Sequence, residues 1–319
     1  MNQTELLIGQ SEFAPEIEKS ISYLLSPEIL AVLTTDPYWP KWDAPWWHMT
    51  LLYELGLAKL IPECTARIMI KKLNEHYIHF FPFNESEAPP GVDFTRVMCH
   101  CGLGTIYKIF AARGMNVDAE IPWARDWFFK YQMEDGGLNC DEAAYTKGVP
   151  KSSMVSSLPP LEAVLQYTRR DFTVYEASFL SRGAEYILNH NLFRSASDPK
   201  KIIDENWTKL CFPRFYEYDV LRGLVFLVRW AKRFNRALPL DRIAEAIGIV
   251  GDHLNENDEI VIKRQFWSEQ KTVVITRDGQ REFKKNVSSF PLLEAAGKAG
   301  TVSKRLTAEW NEVKDFLKL

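Results

Sequence analysis

The sequence predicts an all-α protein built from helical hairpins. Three observations carry that prediction. Apolar residues recur three and four positions apart along nearly the whole chain, the spacing of one helix face. No strand–helix alternation of the kind that builds a parallel sheet breaks this rhythm. Residues 131–167 then read as a single hairpin: an aromatic helix, a break at Gly136-Gly137, a polar loop, and an apolar helix after Ser157.

The elements follow in order. Ile17, Ile21, Leu24 and Leu25 form a first stripe, with a short helix near 27–34. Trp47, Leu51, Leu52 and Leu55 form the next, ended by Gly56. A longer helix with Ile68, Leu73 and Tyr77 begins after Pro62, because proline suits a first helical turn. Further stripes are Ile106, Ile109 and Phe110, then Trp123, Trp127 and Tyr131, then Leu158, Leu161, Val164 and Leu165. Phe179, Ala184, Ile187 and Leu188 come next, followed by helices over 220–230 and 243–254, a short one near 290–297, and a last one through Leu306, Trp310, Val313 and Leu317. The total is about a dozen helices, or five to six hairpins. Region 260–283 differs: Val273-Val274-Ile275 precede Asp278-Gly279, a hairpin turn signal, and predict a small β excursion. No Gly-, Ser- or Pro-rich linker divides the chain, so residues 1–319 read as one domain.

Composition narrows the function classes. Of 319 residues 46 % are hydrophobic and 13 % aromatic, with ten Trp, which suits a large core and an aromatic-lined cavity. Basic and acidic residues number 39 and 42, for a net charge of −3. That balance gives no electrostatic basis for binding nucleic acid or an anionic membrane. The first residues lack the pattern of a secretion signal. The apolar stretch 220–230 is broken by Arg222 and Arg229, far short of the roughly 18 uncharged residues of a membrane span. Five cysteines fit reduced thiols in a cytoplasmic protein, or metal ligands.

Several motifs point further. They are Thr-Asp-Pro-Tyr-Trp-Pro-Lys-Trp-Asp-Ala-Pro-Trp-Trp-His at 35–48, Asp-Gly-Gly-Leu-Asn-Cys at 135–140 and Lys151-Ser152-Ser153. Phe193-Arg194-Ser195, Leu210 to Phe215 and Tyr218 to Leu224 complete the set. Together they resemble bacterial squalene-cyclase and prenyltransferase-repeat proteins, within the terpenoid cyclase and protein prenyltransferase superfamily. The resemblance runs from about Val32 to Leu254. It implies a closed α/α toroid of five to six hairpins, and a cavity that binds or transforms an apolar, isoprenoid-like small molecule. Two motifs of that superfamily, Asp-x-Asp-Asp and Asp-Asp-x-x-Asp, are absent. Asp135 and Cys140 stand where prenyltransferase β subunits place zinc ligands, but residues 152–157 contain no histidine.

The candidate chemistry lies in four groups. Cys99, His100 and Cys101 with Cys140 have the donor types of a tetrahedral zinc site, whose open position would activate a thiol or water. Against this, adjacent residues of a regular helix or strand cannot all face one ion, and small core thiols are common. Asp36, Asp43 and His48 sit among Tyr38, Trp39, Trp42, Trp46 and Trp47. They read either as proton carriers beside aromatic faces that stabilise a cation or stack on a sugar, or as a rigid aromatic plug. Asp135 either faces the cavity as an acid or caps the amides after it. Tyr218, Asp219 and Arg222 open a helix and either line the cavity mouth or pair locally. Glu162 and Arg222 interrupt apolar helices, as cavity-lining groups or as a solvated edge.

Two further function classes stand beside the isoprenoid reading: a carbohydrate-active α/α toroid acting as hydrolase or lyase, and a non-catalytic scaffold that binds a ligand or peptide. No Gly-x-Ser-x-Gly elbow, phosphate loop or dinucleotide fingerprint occurs.

Overall fold

A computed structural model of the chain describes residues 11–34, 37–38, 41–76, 99–141, 143–146, 151–269, 272–275, 281–284 and 289–319. Among them the elements are helices and two small antiparallel strand pairs. In chain order the helices are α1 (Ala14–Leu25), α2 (Pro27–Val32), α3 (Pro45–Glu54), α4 (Glu63–His76), α5 (His100–Arg113), α6 (Val117–Glu120), α7 (Ala124–Lys130) and α8 (Ala143–Thr146). Then come α9 (Met154–Tyr167), α10 (Val174–Asn189), α11 (Val220–Phe234), α12 (Leu240–Gly251), α13 (Phe266–Glu269), α14 (Pro291–Ala296) and α15 (Lys304–Leu317). No helix among the described residues is long and apolar enough to cross a membrane.

Local chemistry sets the boundaries. Prolines open α1, α2, α3 and α14, where a missing N–H costs nothing. The Ser153, Asp219 and Ser303 side chains cap α9, α11 and α15. Thr173 and Glu176 close a reciprocal capping box on α10. Gly114 and Asn235 end α5 and α11 in the left-handed conformation. The α9 helix begins at Met154, earlier than the apolar spacing suggests, because the Ser153 hydroxyl accepts from the Ser156 amide. The β excursion is an antiparallel pair of β3 (Thr272–Ile275) and β4 (Arg281–Lys284), which overlaps the marked region 260–283 and ends one residue past it; the Asp278-Gly279 turn signal lies outside the described residues. A pair the sequence did not announce, β1 (Arg194–Ser195) and β2 (Asp198–Ile202), follows α10.

Three helices are buried almost all the way round: α5 from Gly102 to Phe110, α9 from Ser156 to Leu165, and α11 from Val220 to Val228. A helix of that kind belongs at the centre of a large core. Each buried Leu, Ile or Phe contributes about 1.5–3 kcal/mol. The α5 and α9 backbones lie closest. A Cβ on Gly104 would stand 2.4 Å from the Pro160 nitrogen, so only glycine admits the Pro159-Pro160 surface. Side-by-side packing continues from α3 to α5, α9, α11 and α15, while α10 and α12 cover the outside and α1 joins α3 to α14.

The centre of this arrangement is charged. Lys108 of α5 and Arg222 of α11 both bind Glu162 of α9, and all three side chains are under 10 % exposed. Arg214 places Nε 2.7 Å from Asp219 and Nη1 2.6 Å from Glu309 of α15. Glu54, at the end of α3, accepts from the Arg214 and Phe215 amides. Burial pushes the Glu162 carboxyl up, but the Arg222 and Lys108 charges outweigh it and hold the group well below the usual carboxylate range. Five helices therefore converge on one polar chamber.

Candidate functional site

The strongest chemical cluster lies at the start of α5. Cys99 is the residue before the helix, with extended φ/ψ of −65° and 112°, and Cys101 is the second helical residue. The chain turns between them, so both thiols reach the same side. This answers the geometric objection that residues on one regular element cannot share an ion. Cys140 arrives from the loop after α7. The Cys99 Sγ lies 2.9 Å from that of Cys101 and 3.3 Å from that of Cys140. All three sulfurs are within 4.8 Å of one another.

The loop that brings Cys140 is firmly held. Gly136 has φ of +94°, and a Cβ there would meet the Arg182 carbonyl at 2.2 Å. Asp135 accepts from the Gly137 amide at 3.1 Å and from the Ser152 hydroxyl at 2.5 Å. Ser157 bonds to both the amide and the carbonyl of Leu138. Ser156 accepts from the Cys140 amide at 3.0 Å. The serines of 152–157 thus form the cradle for the thiol loop.

The three thiols share charge. Hydrogen bonds from Cys101 and Cys99 hold Cys140 well below the ordinary thiol range, and the Cys101 amide adds a further bond at 3.4 Å. Cys99 and Cys101 are pushed up, the first by its bond to Cys101, the second by its bond to Cys140. Of the three thiols, Cys140 is therefore the one that gives up its proton most readily. The start of α5, with its positive dipole end, favours the charge that this leaves.

A lysine of the 35–48 motif that was not among the candidate groups, Lys41, stands nearby. Lys41 donates to the Tyr216 hydroxyl at 2.9 Å and lies 5.0–5.9 Å from the ring centres of Tyr38, Trp42 and Tyr216. Burial lowers its affinity for a proton, and the Cys101 and Cys99 thiols oppose that shift.

His100 stands apart from the cluster of three sulfurs. Its Nε2 is 3.1 Å from the Tyr145 hydroxyl, and its ring lies among Trp127, Tyr131 and Tyr145. Burial pulls its pKa down to about 4, with Cys140 opposing. Of the four candidate ligands, three thiols therefore form the cluster and His100 is a neighbouring imidazole, consistent with the expectation that Cys99, His100 and Cys101 cannot all bind one ion.

The described residues of the Trp-rich segment pack into a buried aromatic cluster. Trp42 has φ of 72° and is fully buried; its ring stacks on Phe215 at 5.3 Å and meets Trp47 at 4.4 Å. The Trp47 indole donates to the Tyr38 carbonyl at 2.9 Å. Trp46 reaches toward Gly102, beside Cys99. His48 is sandwiched between Tyr23 and Phe290, with Nδ1 3.2 Å from the Ser20 hydroxyl; burial lowers its pKa to about 3. The Asp43 carbonyl accepts from Tyr23, and burial raises its carboxyl above the ordinary value. Asp36 and Trp39 lie outside the described residues.

The remaining candidates serve α11. Asp219 accepts from the Arg222 amide at 2.8 Å and pairs with Arg214, so it caps the helix. Its carboxylate does not pair with the Arg222 guanidinium, which goes to Glu162. Tyr218 is buried and donates to the Leu192 carbonyl at 2.7 Å. Sequence reasoning missed Lys41, Lys108 and Arg214. Only Lys108 carried a local signal, the one charge in the mostly apolar Leu103–Phe110 run.

No protein-family model, curated protein or solved structure matches this chain.

Proposed function

We propose that this chain is an α/α toroid whose Cys99, Cys101 and Cys140 thiolates hold one zinc ion, with a position left open for an exogenous ligand. The observation that carries the reading is the convergence of three thiols from two separate segments within 4.8 Å. The donor set fits: Zn–S bonds of about 2.3 Å in a tetrahedron place sulfurs about 3.8 Å apart. The sulfur contacts of 2.9 and 3.3 Å would need to open by under about 1 Å. The ring reading is supported by the unbroken side-by-side series of α3, α5, α9, α11 and α15 around one chamber.

A zinc ion with three thiolates and a free position lowers the pKa of a bound water or thiol, and so supplies a nucleophile near neutral pH. The residues of the chain have separate tasks. The serine cradle holds Cys140 in place, and the Cys101 amide stabilises its thiolate. Lys41 offsets the negative charge of the cluster and, from within its aromatic cage, orients anionic groups near the thiols. The resemblance to prenyltransferase-repeat proteins adds an apolar, isoprenoid-like co-ligand. The charged ring centre is a poor host for such a molecule, so the reading places it at the thiol end, against Tyr38 and Trp46.

Cobalt(II) titration of the reduced protein tests the proposal. One equivalent per chain should produce thiolate-to-cobalt charge-transfer absorption, zinc should abolish it, and Cys140→Ser should not show it. Absence of the absorption in the wild type, or its persistence in the variant, would overturn the reading.

A further inference from the structure

The polar chamber between α3, α5, α9, α11 and α15 has a chemistry of its own, independent of the thiols. Its volume is about 50 Å3. A buried water needs roughly 10–15 Å3 of such volume, so the chamber has room for about three or four oxygen-sized atoms. Two of the residues that line it carry a buried polar atom with no hydrogen-bond partner among the described residues: Arg214 Nη2 and Thr105 Oγ1. Their residues are 6 % and 2 % exposed. Asp219 and Glu309 already fix the other two nitrogens of the Arg214 fork, so Nη2 is the edge that remains. An unfilled guanidinium N–H in a buried site calls for an acceptor.

The charges around the chamber give direction. Lys108, Arg214, Arg222, Arg229 and Arg305 face Glu54, Glu162 and Glu309 in its wall. Asp219 and Glu312 pair with Arg214 and Arg229 from the sides, which brings the inner charges close to balance. Burial raises Glu54 above the usual carboxylate range, which weakens one source of repulsion. Outward the balance is lost. A cleft of about 770 Å3 adjoins the chamber, and Tyr53, Gln166, Arg229 and Arg305 line both. The cleft adds Lys59, Lys232 and Arg233, with Glu312 as its carboxylate. A basic cleft that leads to unfilled donors concentrates anions.

We propose that the chamber binds a small oxyanion, the carboxylate or phosphate group of a ligand, with Arg214 Nη2 and Thr105 Oγ1 donating to its oxygens. The rest of the ligand lies in the cleft against Arg229 and Arg305. The α3, α5, α9, α11 and α15 helices all touch the chamber, so occupancy ties the ring together.

Titration calorimetry of the full chain at low salt, with inorganic phosphate and separately with acetate, tests this. At least one anion should bind with one site per chain, and more weakly as salt rises; which of the two binds distinguishes phosphate from carboxylate. Thr105→Val keeps the side-chain shape and removes the hydroxyl, and should weaken binding about threefold or more. Arg305→Ala, at the exposed mouth, should weaken it by a similar factor, and it decides the matter if the Thr105 variant does not fold. Saturable binding by neither anion overturns the proposal. So does binding unchanged in the folded variants, which would mark an adventitious surface site.

Discussion

Replacing Glu162 with Gln tests whether the charges of the polar chamber hold together as a unit. The carboxylate accepts from Arg222 Nε and Nη2 at 2.9 and 2.7 Å, and from the Lys108 ammonium. Glutamine keeps the shape but offers one acceptor oxygen and no charge. Two cations would then face each other where every side chain is under 10 % exposed. Breaking a buried pair by removing one partner costs about 3–5 kcal/mol. Lys108 supplies a pH signature. Burial pulls its pKa down to about 8, and the Glu162 charge is what keeps it from falling further. An unfolded lysine stays protonated to about pH 10.4. Stability rises with pH wherever the unfolded chain binds more protons than the folded one. For this group, that holds in the wild type only above about pH 8. In the variant it begins at lower pH. The deficit should therefore narrow between about pH 6.5 and 8, by up to about 1.4 kcal/mol per pH unit, and stay constant above that. Urea denaturation at about pH 6.5, 7.5 and 8.5 measures both quantities. A deficit below about 1 kcal/mol, or one that is flat across the three pH values, would refute the reasoning.

Other substitutions probe the frame. Gly104→Ala puts a methyl 2.4–2.8 Å from Pro159 and Pro160, two of the three contacts being backbone, and should cost about 3 kcal/mol or more in thermal unfolding. Gly248→Ala, on the exposed side of α12 with nothing within 4 Å, should stabilise by about 0.5–1 kcal/mol; equal effects at the two glycines would contradict the packing described. His48 is held neutral by burial, with a pKa of about 3 against 6.5 unfolded, so its share of stability is complete above about pH 6.5 and is lost as pH falls toward 3. His48→Phe keeps the stack with Tyr23 and Phe290 and should flatten the acid limb by up to about 1.4 kcal/mol per pH unit, followed by circular dichroism; an unchanged slope would show that another group drives acid unfolding.

Much of the helical frame was legible because its signals are local. Apolar spacing at Leu51, Ile106, Leu161 and Leu306, prolines at helix starts, and glycines at their ends need no knowledge of the fold. The antiparallel pair of β3 and β4 was visible for the same reason. What escaped depends on residues distant in sequence. Glu162 and Arg222 stood out as charges in apolar helices, but nothing local says that they bind each other or that Lys108 completes the group. The Pro159-Pro160 pair gains meaning only against Gly104, 55 positions earlier than Pro159. At the candidate site the thiols were legible as residue types. Their convergence depends on the turn at Cys99 and on the serine cradle, and the sequence assigned neither. Asp135 could be read from its position before two glycines, and its bonds to Gly137 and Ser152 match the capping alternative. The caging of Lys41 by Tyr38, Trp42 and Tyr216 left no trace in the order of residues.

Elemental mass spectrometry of the protein purified without chelator or added metal tests the central claim most directly. The account predicts close to one zinc per chain in the wild type and a large loss in Cys140→Ser, with the variant still folded by circular dichroism. No transition metal in the wild type, or equal zinc in both proteins, would contradict a metal centre at Cys99, Cys101 and Cys140.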